Sequence, residues 1–176
     1  MTLARFQACL PLILQHEGGD VDDSRDPGGA TNLGVTLATA RAYKLDLDHD
    51  GDVDKADVKA LKPADVAPVY YRGYWLASSA DLCPRGLDYM VFDCAVNQGV
   101  GRATRWLQTV LAVKTDGLIG PKTIAALGIV NRSMAIALYA DLREDHYRSL
   151  PTFDRFGKGW LRRLEEVQAR AQEMAR

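Results

Sequence analysis

Cysteine is scarce in this sequence, and its spacing excludes two classes of site. The 176 residues contain three cysteines, Cys9, Cys83 and Cys94, with no Cys-x-x-Cys spacing. An odd number without that spacing argues against a zinc site and against a complete disulfide framework. Because free cysteine is among the residues most often found buried, we expect all three to be reduced thiols in the core.

An excess of charge and a long hydrophobic run are also missing. The formal net charge is -1 at pH 7, which gives no argument for nucleic-acid binding, since that function usually shows as a basic excess. The apolar run at residues 8–14 is too short for a membrane span and lacks a small-residue cleavage site. We expect a monomer without stable membrane insertion and without a signal peptide.

Strand-like alternation is scarce as well, whereas apolar residues at helical spacing are frequent. Phe6, Leu10, Ile13 and Leu14 make one face of a first helix that Gly18-Gly19 ends. Further helices are predicted at residues 36–43, near 55–61, after Pro63 and Pro68, at 87–97, around 106–111, around 134–142, and after Gly157 and Gly159. Since repeats and low-complexity linkers are lacking, the pattern predicts a compact, mainly α fold forming one domain over residues 1–176.

Glu17 follows the apolar face of the first helix. It lies four residues after Ile13 and seven after Leu10, which places its carboxylate on the same face. Partial desolvation raises a carboxyl pKa, and the partial negative charge of a helix C-terminus acts in the same direction. A general acid for a glycosidic oxygen needs this environment. The alternative, a surface glutamate before a glycine stop, is the commoner case for an isolated Glu-Gly-Gly.

Several motifs besides Glu17 occur along the chain in a set order. They are His16-Glu17-Gly18-Gly19, Asp26-Pro27-Gly28-Gly29-Ala30-Thr31-Asn32-Leu33-Gly34-Val35-Thr36, Tyr70-Tyr71-Arg72-Gly73-Tyr74-Trp75, Asp93-x-x-x-Asn97-x-Gly99, Trp106-Leu107-Gln108, Asp116-Gly117-x-x-Gly120-Pro121-x-Thr123 and Phe156-Gly157-Lys158-Gly159-Trp160. Together they resemble glycoside hydrolase family 108 over nearly the whole chain. That family contains N-acetylmuramidases found as phage endolysins and as secretion-linked lysozymes.

The resemblance implies a lysozyme-like helical fold and hydrolysis of the β-1,4 bond between N-acetylmuramic acid and N-acetylglucosamine. Peptidoglycan is then the partner, and Glu17 is the acid. The stretch at about residues 102–127 is similar to the small peptidoglycan-binding-type helical segment that accompanies the family. We expect the protein to be made in a bacterial cytoplasm and to act on the cell wall in the periplasm after release.

The second catalytic residue is open at this point. The order Glu17, Asp26, Thr31 is similar to that of phage-type lysozymes, in which the aspartate and the threonine position a water. Asp20, Asp22 and Asp23 are rivals, and Asp26 has an alternative role in capping the Pro-Gly-Gly turn. Thr31, and Asn32 as a predicted substrate contact, have the alternative of bonding their own loop backbone.

Residues 46–57 form an acidic loop with the spacing of an EF-hand. Gly51 stands at loop position 6 and Val53 at position 8, and helical sequence flanks both sides. Six aspartates supply the predicted Ca²⁺ site, with Asp52 at the position that uses its backbone carbonyl: Asp46, Asp48, Asp50, Asp52, Asp54 and Asp57. Asp57 departs from the usual glutamate at position 12. The alternative is a solvated acidic loop, and we expect a structural rather than a catalytic ion.

Two further clusters are candidates for the substrate site. Of the aromatic residues in 70–75, one or two, with Tyr74 foremost, are expected to stack on sugar, and the rest to be core. Asp93 and Asn97 lie one helical turn apart, so they suit an N-acetyl group or a mutual surface pair. Two other functions compete with the muramidase: a non-catalytic wall-binding module, and an interaction protein built on the acidic loop.

Overall fold

The computed structural model describes residues 2–16 and 30–176. Its elements in chain order are α1 (Thr2–His16), β1 (Thr31–Asn32), β2 (Val35–Thr36), α2 (Leu37–Tyr43), α3 (Lys55–Ala60), α4 (Pro63–Tyr70), a π-helical segment (Tyr71–Leu76), a 3-10 turn (Ala80–Leu82), α5 (Leu87–Gln98), α6 (Val100–Val110), α7 (Pro121–Ile129), α8 (Arg132–Ser149) and α9 (Phe153–Met174). The predicted mainly α, lysozyme-like fold is confirmed.

The chain divides into two compact units, residues 3–73 and residues 74–176. In the first unit, the predicted apolar face of α1 is buried: Phe6 and Leu10 are 2% and 7% exposed, and Ile13 is fully buried. The ring of Phe6 meets that of Tyr71 edge-on at 5.0 Å. Helices α2 and α3 lie where the sequence predicted them, and they contact the β1–β2 hairpin.

In the second unit α5 is the central helix. Every residue from Leu87 to Ala95 is buried, because α6, α8 and α9 pack around it. A helix surrounded by partners has no solvent-facing side, which explains why apolar residues occur all around α5 and why even its Asp88 and Asp93 are buried. The ring of Phe92 meets the fully buried Trp75 edge-on at 5.3 Å.

The start of the last helix differs from the prediction. The sequence placed it after Gly157 and Gly159, whereas α9 begins at Phe153 and runs through both glycines. A Cβ atom added at Gly157 would lie 2.6 Å from the ring of Phe153, so this glycine permits close packing within the helix. Helix α7, which the sequence analysis covered only as part of the helical segment at about residues 102–127, begins with Pro121 in its first turn, where proline is well tolerated.

The predicted state of the cysteines is confirmed, since Cys9, Cys83 and Cys94 are buried thiols that form no disulfide in the described part of the chain. Burial raises the pKa of the Cys94 thiol to about 11, which keeps it protonated and unreactive. Within the described part of the chain, no single helix has the length and hydropathy to cross a membrane. The bent pair formed by α7 and α8 passes that test by length and composition only.

Candidate active site

The predicted acid lies next to a helix whose register is now known. Helix α1 ends at His16, one residue before Glu17, and Ile13 on its buried face is fully enclosed. Glu17 and Asp26 both lie outside the described residues. Their predicted roles therefore stay predictions, and the described part of the site begins at Ala30.

The β1–β2 hairpin holds Thr31. In its ladder Thr31 pairs with Thr36, and Asn32 pairs with Val35. Both turn residues between the strands have positive φ, 49° at Leu33 and 71° at Gly34, as a tight two-residue hairpin requires. The hydroxyl of Tyr70 donates a hydrogen bond of 2.9 Å to the carbonyl of Leu33. A buried tyrosine thus fixes the turn, and with it the position of Thr31.

Asn32 joins this hairpin to helix α3. Its Nδ2 donates to the carbonyl oxygens of Val58 at 3.0 Å, Lys59 at 3.1 Å and Leu61 at 3.4 Å. The last carbonyls of a helix lack partners within the helix, so these bonds satisfy them. These bonds hold Asn32 against the end of α3, and its contact with the substrate stays a prediction. The two segments are 26 residues or more apart, and no local pattern connects them.

The acidic loop connects α2 to α3 and has the backbone features that its sequence predicted. Gly51 has a φ of 99°, a conformation that residues with a Cβ rarely adopt. Asp54 caps α3 by accepting from the N–H of Ala56 at 2.5 Å. Asp57 is only 2% exposed, and its two oxygens accept from Leu47 N at 2.6 Å and Asp54 N at 2.8 Å.

The carboxylates of this loop form two triads. One oxygen from each of Asp46, Asp48 and Asp50 lies within 4.8 Å of the others, and the same holds for Asp52, Asp54 and Asp57. All six donors are hard oxygen ligands, which suit Ca²⁺. The chemistry of the donors therefore fits the ion, and calcium binding stays a prediction.

The charges in the loop act on one another. Repulsion from Asp50 raises the pKa of Asp52, and desolvation and the charges of Asp54 and Asp57 raise it further. The positive charge of Arg41 lowers it by less. The hydrogen bond from the N–H of Asp50 lowers the pKa of Asp48. Desolvation and the neighbouring carboxylates together outweigh this bond, so the pKa of Asp48 is raised. The Asp54 and Leu47 N–H groups lower the pKa of Asp57. The exposed carboxylates thus carry charge that the described side chains only partly compensate.

In the second unit Asp93 has a role that the sequence did not suggest. It is fully buried, with Arg143 Nη2 at 2.6 Å from one oxygen and Arg163 Nη2 at 2.9 Å from the other. Burial alone would raise the pKa of Asp93, but the two arginines hold it below its ordinary value. Both oxygens are therefore occupied by arginine, in place of an N-acetyl group or a surface pair with Asn97.

Asn97 is exposed and is held by Tyr147, whose hydroxyl donates to Asn97 Oδ1 at 2.6 Å. Arg143, fully buried, also donates from Nε to Gln98 Oε1 at 2.8 Å. The sequence analysis missed Arg143, Tyr147 and Arg163. One signal was present: Arg143 stands three residues after Ala140 and four before Tyr147, on the buried face of α8, where an arginine needs an acid partner.

The aromatic residues of 70–75 separate as the sequence suggested. Tyr70 and Trp75 are buried, at 1% and 0% exposure, whereas Tyr71 and Tyr74 are half-buried. Tyr74 thus keeps an accessible surface, and its contact with sugar stays a prediction.

A glutamine fixes the Asp116-Gly117 loop of the second unit. Gln108, 1% exposed, donates from Nε2 to Asp116 Oδ1 at 2.9 Å and to the carbonyl of Leu118 at 3.0 Å, and its Oε1 accepts from Gly117 N at 2.7 Å. The N–H of Leu118 and the amide of Gln108 lower the pKa of Asp116 to about 2. The two motifs therefore form one structural unit.

Comparisons with known proteins agree with this arrangement. A family model described as glycosyl hydrolase 108 matches residues 10–99, and one described as predicted peptidoglycan domain matches residues 102–165. The chain is similar to the structure of Brucella abortus SagA, with 39% identity, 97% of this chain and 95% of that chain covered, and a TM-score of 0.80. A search of the curated proteins gives no match.

These matches decide the class of protein. The second model extends over α6, α7, α8 and the first part of α9, a longer range than the predicted segment at residues 102–127. Peptidoglycan is the substrate or partner that it indicates. The chain belongs to the glycosyl hydrolase 108 family and is a glycoside hydrolase that acts on the bacterial cell wall.

Proposed function

We propose that the protein is an endolysin-type N-acetylmuramidase that hydrolyses the β-1,4 bond between N-acetylmuramic acid and N-acetylglucosamine, with Glu17 as general acid. The observation that carries the proposal is the family match over residues 10–99, which includes Glu17, Asp26 and Thr31. The buried face of α1 supports it, because Leu10 and Ile13 set the register that leads to Glu17.

In this mechanism Glu17 gives its proton to the leaving glycosidic oxygen. Asp26, with the hydroxyl of Thr31, directs a water to the anomeric carbon from the opposite face, as in an inverting hydrolase. The attachment of the hairpin by Tyr70 and Asn32 supports this role for Thr31, since a hydroxyl that orients water needs a fixed backbone.

The test is Glu17→Gln against Glu165→Gln, a control on an exposed position of α9. Loss of a general acid lowers the rate by about 10²–10⁴-fold, whereas the control keeps the parent rate. Mass spectrometry of the products from purified peptidoglycan identifies the bond, since a muramidase creates new reducing N-acetylmuramic acid ends. Full activity of Glu17→Gln, or new reducing N-acetylglucosamine ends, would contradict the proposal. Retained binding by an inactive parent protein would favour the non-catalytic wall-binding module.

The same assay identifies the second residue. Asp26→Asn is compared with Asp20→Asn, Asp22→Asn and Asp23→Asn. We expect Asp26→Asn to lose activity and the other three to keep it. A loss confined to one of the rivals would transfer the role to that residue.

We also propose that the acidic loop binds Ca²⁺ as a structural ion. Three observations support it: the two carboxylate triads, the positive φ of Gly51, and the position of Asp57 in the first turn of α3, where the last ligand of an EF-hand lies. Ca²⁺ would neutralise the repulsion that raises the pKa of Asp52. The ion would therefore order the loop by its charge and would take no part in bond cleavage.

Titration calorimetry of chelator-treated protein with CaCl₂ tests the ion site. We expect one saturable binding event that Asp50→Asn weakens by an order of magnitude or more, since it removes a charged ligand. Asp145→Asn, an exposed aspartate of α8, is the control and leaves the titration unchanged. Absence of heat in the parent protein would leave the loop as a solvated acidic connection.

Because peptidoglycan lies outside the cytoplasmic membrane, we further propose that the protein acts in the periplasm after release from the cytoplasm. Fractionation of expressing cells before and after lysis measures this. Protein confined to the cytoplasm throughout would contradict it.

A further inference from the structure

Five aromatic rings on α6, α8 and α9 form a continuous series in the second unit. Neighbouring ring centroids lie 5.5 Å apart for Trp106 and His146, 6.4 Å for His146 and Tyr147, 5.4 Å for Tyr147 and Trp160, and 5.8 Å for Trp160 and Phe156. We refer to these five residues as the aromatic row. They come from three helices, so the fold brings together rings that are up to 54 residues apart in the chain.

The aromatic row is partly open to solvent. Phe156 is 44% exposed, Trp106, His146 and Trp160 are half-buried, and only Tyr147 is buried. Exposed aromatic surface has an unfavourable contact with water, at roughly 25 cal/mol per Å². Scattered single cases need no explanation, but a contiguous series indicates a surface that another molecule covers.

Hydrogen-bonding groups accompany the rings. The hydroxyl of Tyr147 donates to Oδ1 of Asn97, whose side chain is exposed. The other polar atom of that side chain, Nδ2, donates to none of the described residues. Gln98, Arg102 and Trp106 line a pocket of about 490 Å³. In the same part of the molecule, Gln98 Nε2 is buried and has no hydrogen-bond partner among the residues described. A buried amide without a partner is rare and indicates a site where a ligand or water completes the bonding.

All five rings of the aromatic row are uncharged at neutral pH, which suits a neutral ligand. Burial, and then the charge of Arg102, lowers the pKa of His146, so its ring is uncharged at neutral pH. The buried ion pairs of Asp93 lie next to the row, since Arg143 Nη2, which bonds Asp93, also lies 3.4 Å from the hydroxyl of Tyr147. The row therefore presents uncharged rings on a rigid base, with two guanidinium groups over its ends: Arg102 at 5.8 Å from the Trp106 ring centroid and Arg155 at 4.9 Å from that of Phe156.

We propose that the aromatic row binds the N-acetylated glycan strand of peptidoglycan. The C–H faces of pyranose rings stack on aromatic rings, and the carbonyl of an N-acetyl group accepts from an amide such as Asn97 Nδ2. The match of a peptidoglycan domain to residues 102–165, which contain all five rings, favours this occupant over a nucleic acid or a second protein. The inference rests on the proposed function and names the part of the substrate that this surface recognises.

Co-sedimentation with purified peptidoglycan sacculi tests the row, with the Glu17→Gln chain as parent so that hydrolysis does not remove the ligand. We expect Trp106→Ala and Phe156→Ala each to weaken binding by about tenfold, which is about 1.4 kcal/mol for each ring. The control is Leu118→Ala with Ile129→Ala, which removes apolar side chains 74% and 89% exposed elsewhere in the same unit. Unchanged binding by both ring variants would overturn the proposal.

Tryptophan fluorescence gives a second measurement with variants that keep a ring. The chain has three tryptophans, and Trp75 is fully buried. Titration with tetra-N-acetylchitotetraose should change the emission of the parent, and the double variant Trp106→Phe, Trp160→Phe should lose that change. A parent that does not respond, or a double variant that still responds, would overturn the proposal. Hydrolysis by the unmodified chain is measured separately. If the aromatic row does not bind glycan, the muramidase proposal is unaffected, and if hydrolysis is absent, the binding result is unaffected.

Discussion

The two units compensate negative charge in different ways. In the first, the carboxylates of residues 46–57 are mostly exposed and rely on backbone N–H groups, and Asp52 keeps a raised pKa because Asp50 repels it. In the second, Asp93 is fully buried and has an arginine on each oxygen. One compensation is incomplete within the described chain, and the other is complete.

The difference shows which part of the stability depends on the solution. An aspartate paired with arginines inside the core has its partners wherever the chain is folded, so ions and salt change it little. A group of exposed carboxylates depends on cations and on pH. We therefore expect the first unit to respond to Ca²⁺ and the second to respond mainly to substitutions in its own core.

The largest effect is expected from Arg143→Met, which leaves Asp93 buried with one arginine fewer. Breaking a buried pair by removing one partner costs about 3–5 kcal/mol of unfolding free energy. The control is Arg148→Met on the same helix, which breaks the exposed pair with Glu144 at 2.6 Å and should cost under about 1 kcal/mol. Urea unfolding measures both, and equal losses would contradict the complete compensation of Asp93.

Calcium removal should have the next largest effect. An ion present at a hundred times its Kd stabilises the folded state by about 2.7 kcal/mol. We expect the melting temperature to fall when EDTA replaces CaCl₂, and to fall equally in Arg143→Met, because the ion and the arginine act in different units. Thermal unfolding of both proteins in both buffers measures this. A melting temperature that is the same in CaCl₂ and in EDTA would contradict the expectation that the first unit depends on Ca²⁺.

Asn32 sharpens the comparison because it stabilises the first unit without charge. Asn32→Ala removes the bonds to the end of α3 and should cost about 0.5–1.5 kcal/mol, the net range for a hydrogen bond, because these bonds are part-buried or exposed and water can replace them. Asn32→Asp should cost more, since a carboxylate would face carbonyl oxygens. Urea unfolding ranks the two. An aspartate that is tolerated better than alanine would show that these bonds contribute little.

Much of the fold was predictable because helical periodicity is local. The buried face of α1, the helices around the acidic loop and the helical pattern of α5 follow from the spacing of their own residues. Glu17 and Asp26 were predicted from motif order and stay predictions.

Pairings across the chain were not predictable in this way. The role of Asp93 depends on Arg163, 70 residues away, and that of Asn32 depends on carbonyls of another helix. The aromatic row likewise comes from three helices, and only the packing of α6, α8 and α9 brings its rings together. Arg143 needs an acid because it is buried, and only the packing of α8 shows that burial.

The smallest effect is expected from Asp52→Asn, which tests whether Asp52 acts in the acidic loop by repelling Asp50 or by binding Ca²⁺. A carboxyl whose folded pKa is raised loses stability as the pH rises through that pKa, so Asp52 weakens the folded state at neutral pH when Ca²⁺ is absent. The lowered pKa of Asp93 has the opposite sign, because its contribution is present above the unfolded pKa of about 4 and is lost as the pH falls through the folded value. Asp52→Asn should therefore raise the melting temperature slightly in EDTA at pH 7 and flatten its change as the pH falls toward the unfolded pKa of about 4.

The same substitution should leave calcium binding nearly intact, since the loop position of Asp52 supplies a backbone carbonyl, which asparagine keeps. Asp50→Asn is the matched variant, two residues away and expected to supply its side chain. It too relieves repulsion, but it should lose most of the stabilisation by Ca²⁺. Melting curves of both variants, with CaCl₂ and with EDTA, make the comparison. If both variants lose the response equally, Asp52 is a ligand through its carboxylate just as Asp50 is, and both triads supply ligands to the ion.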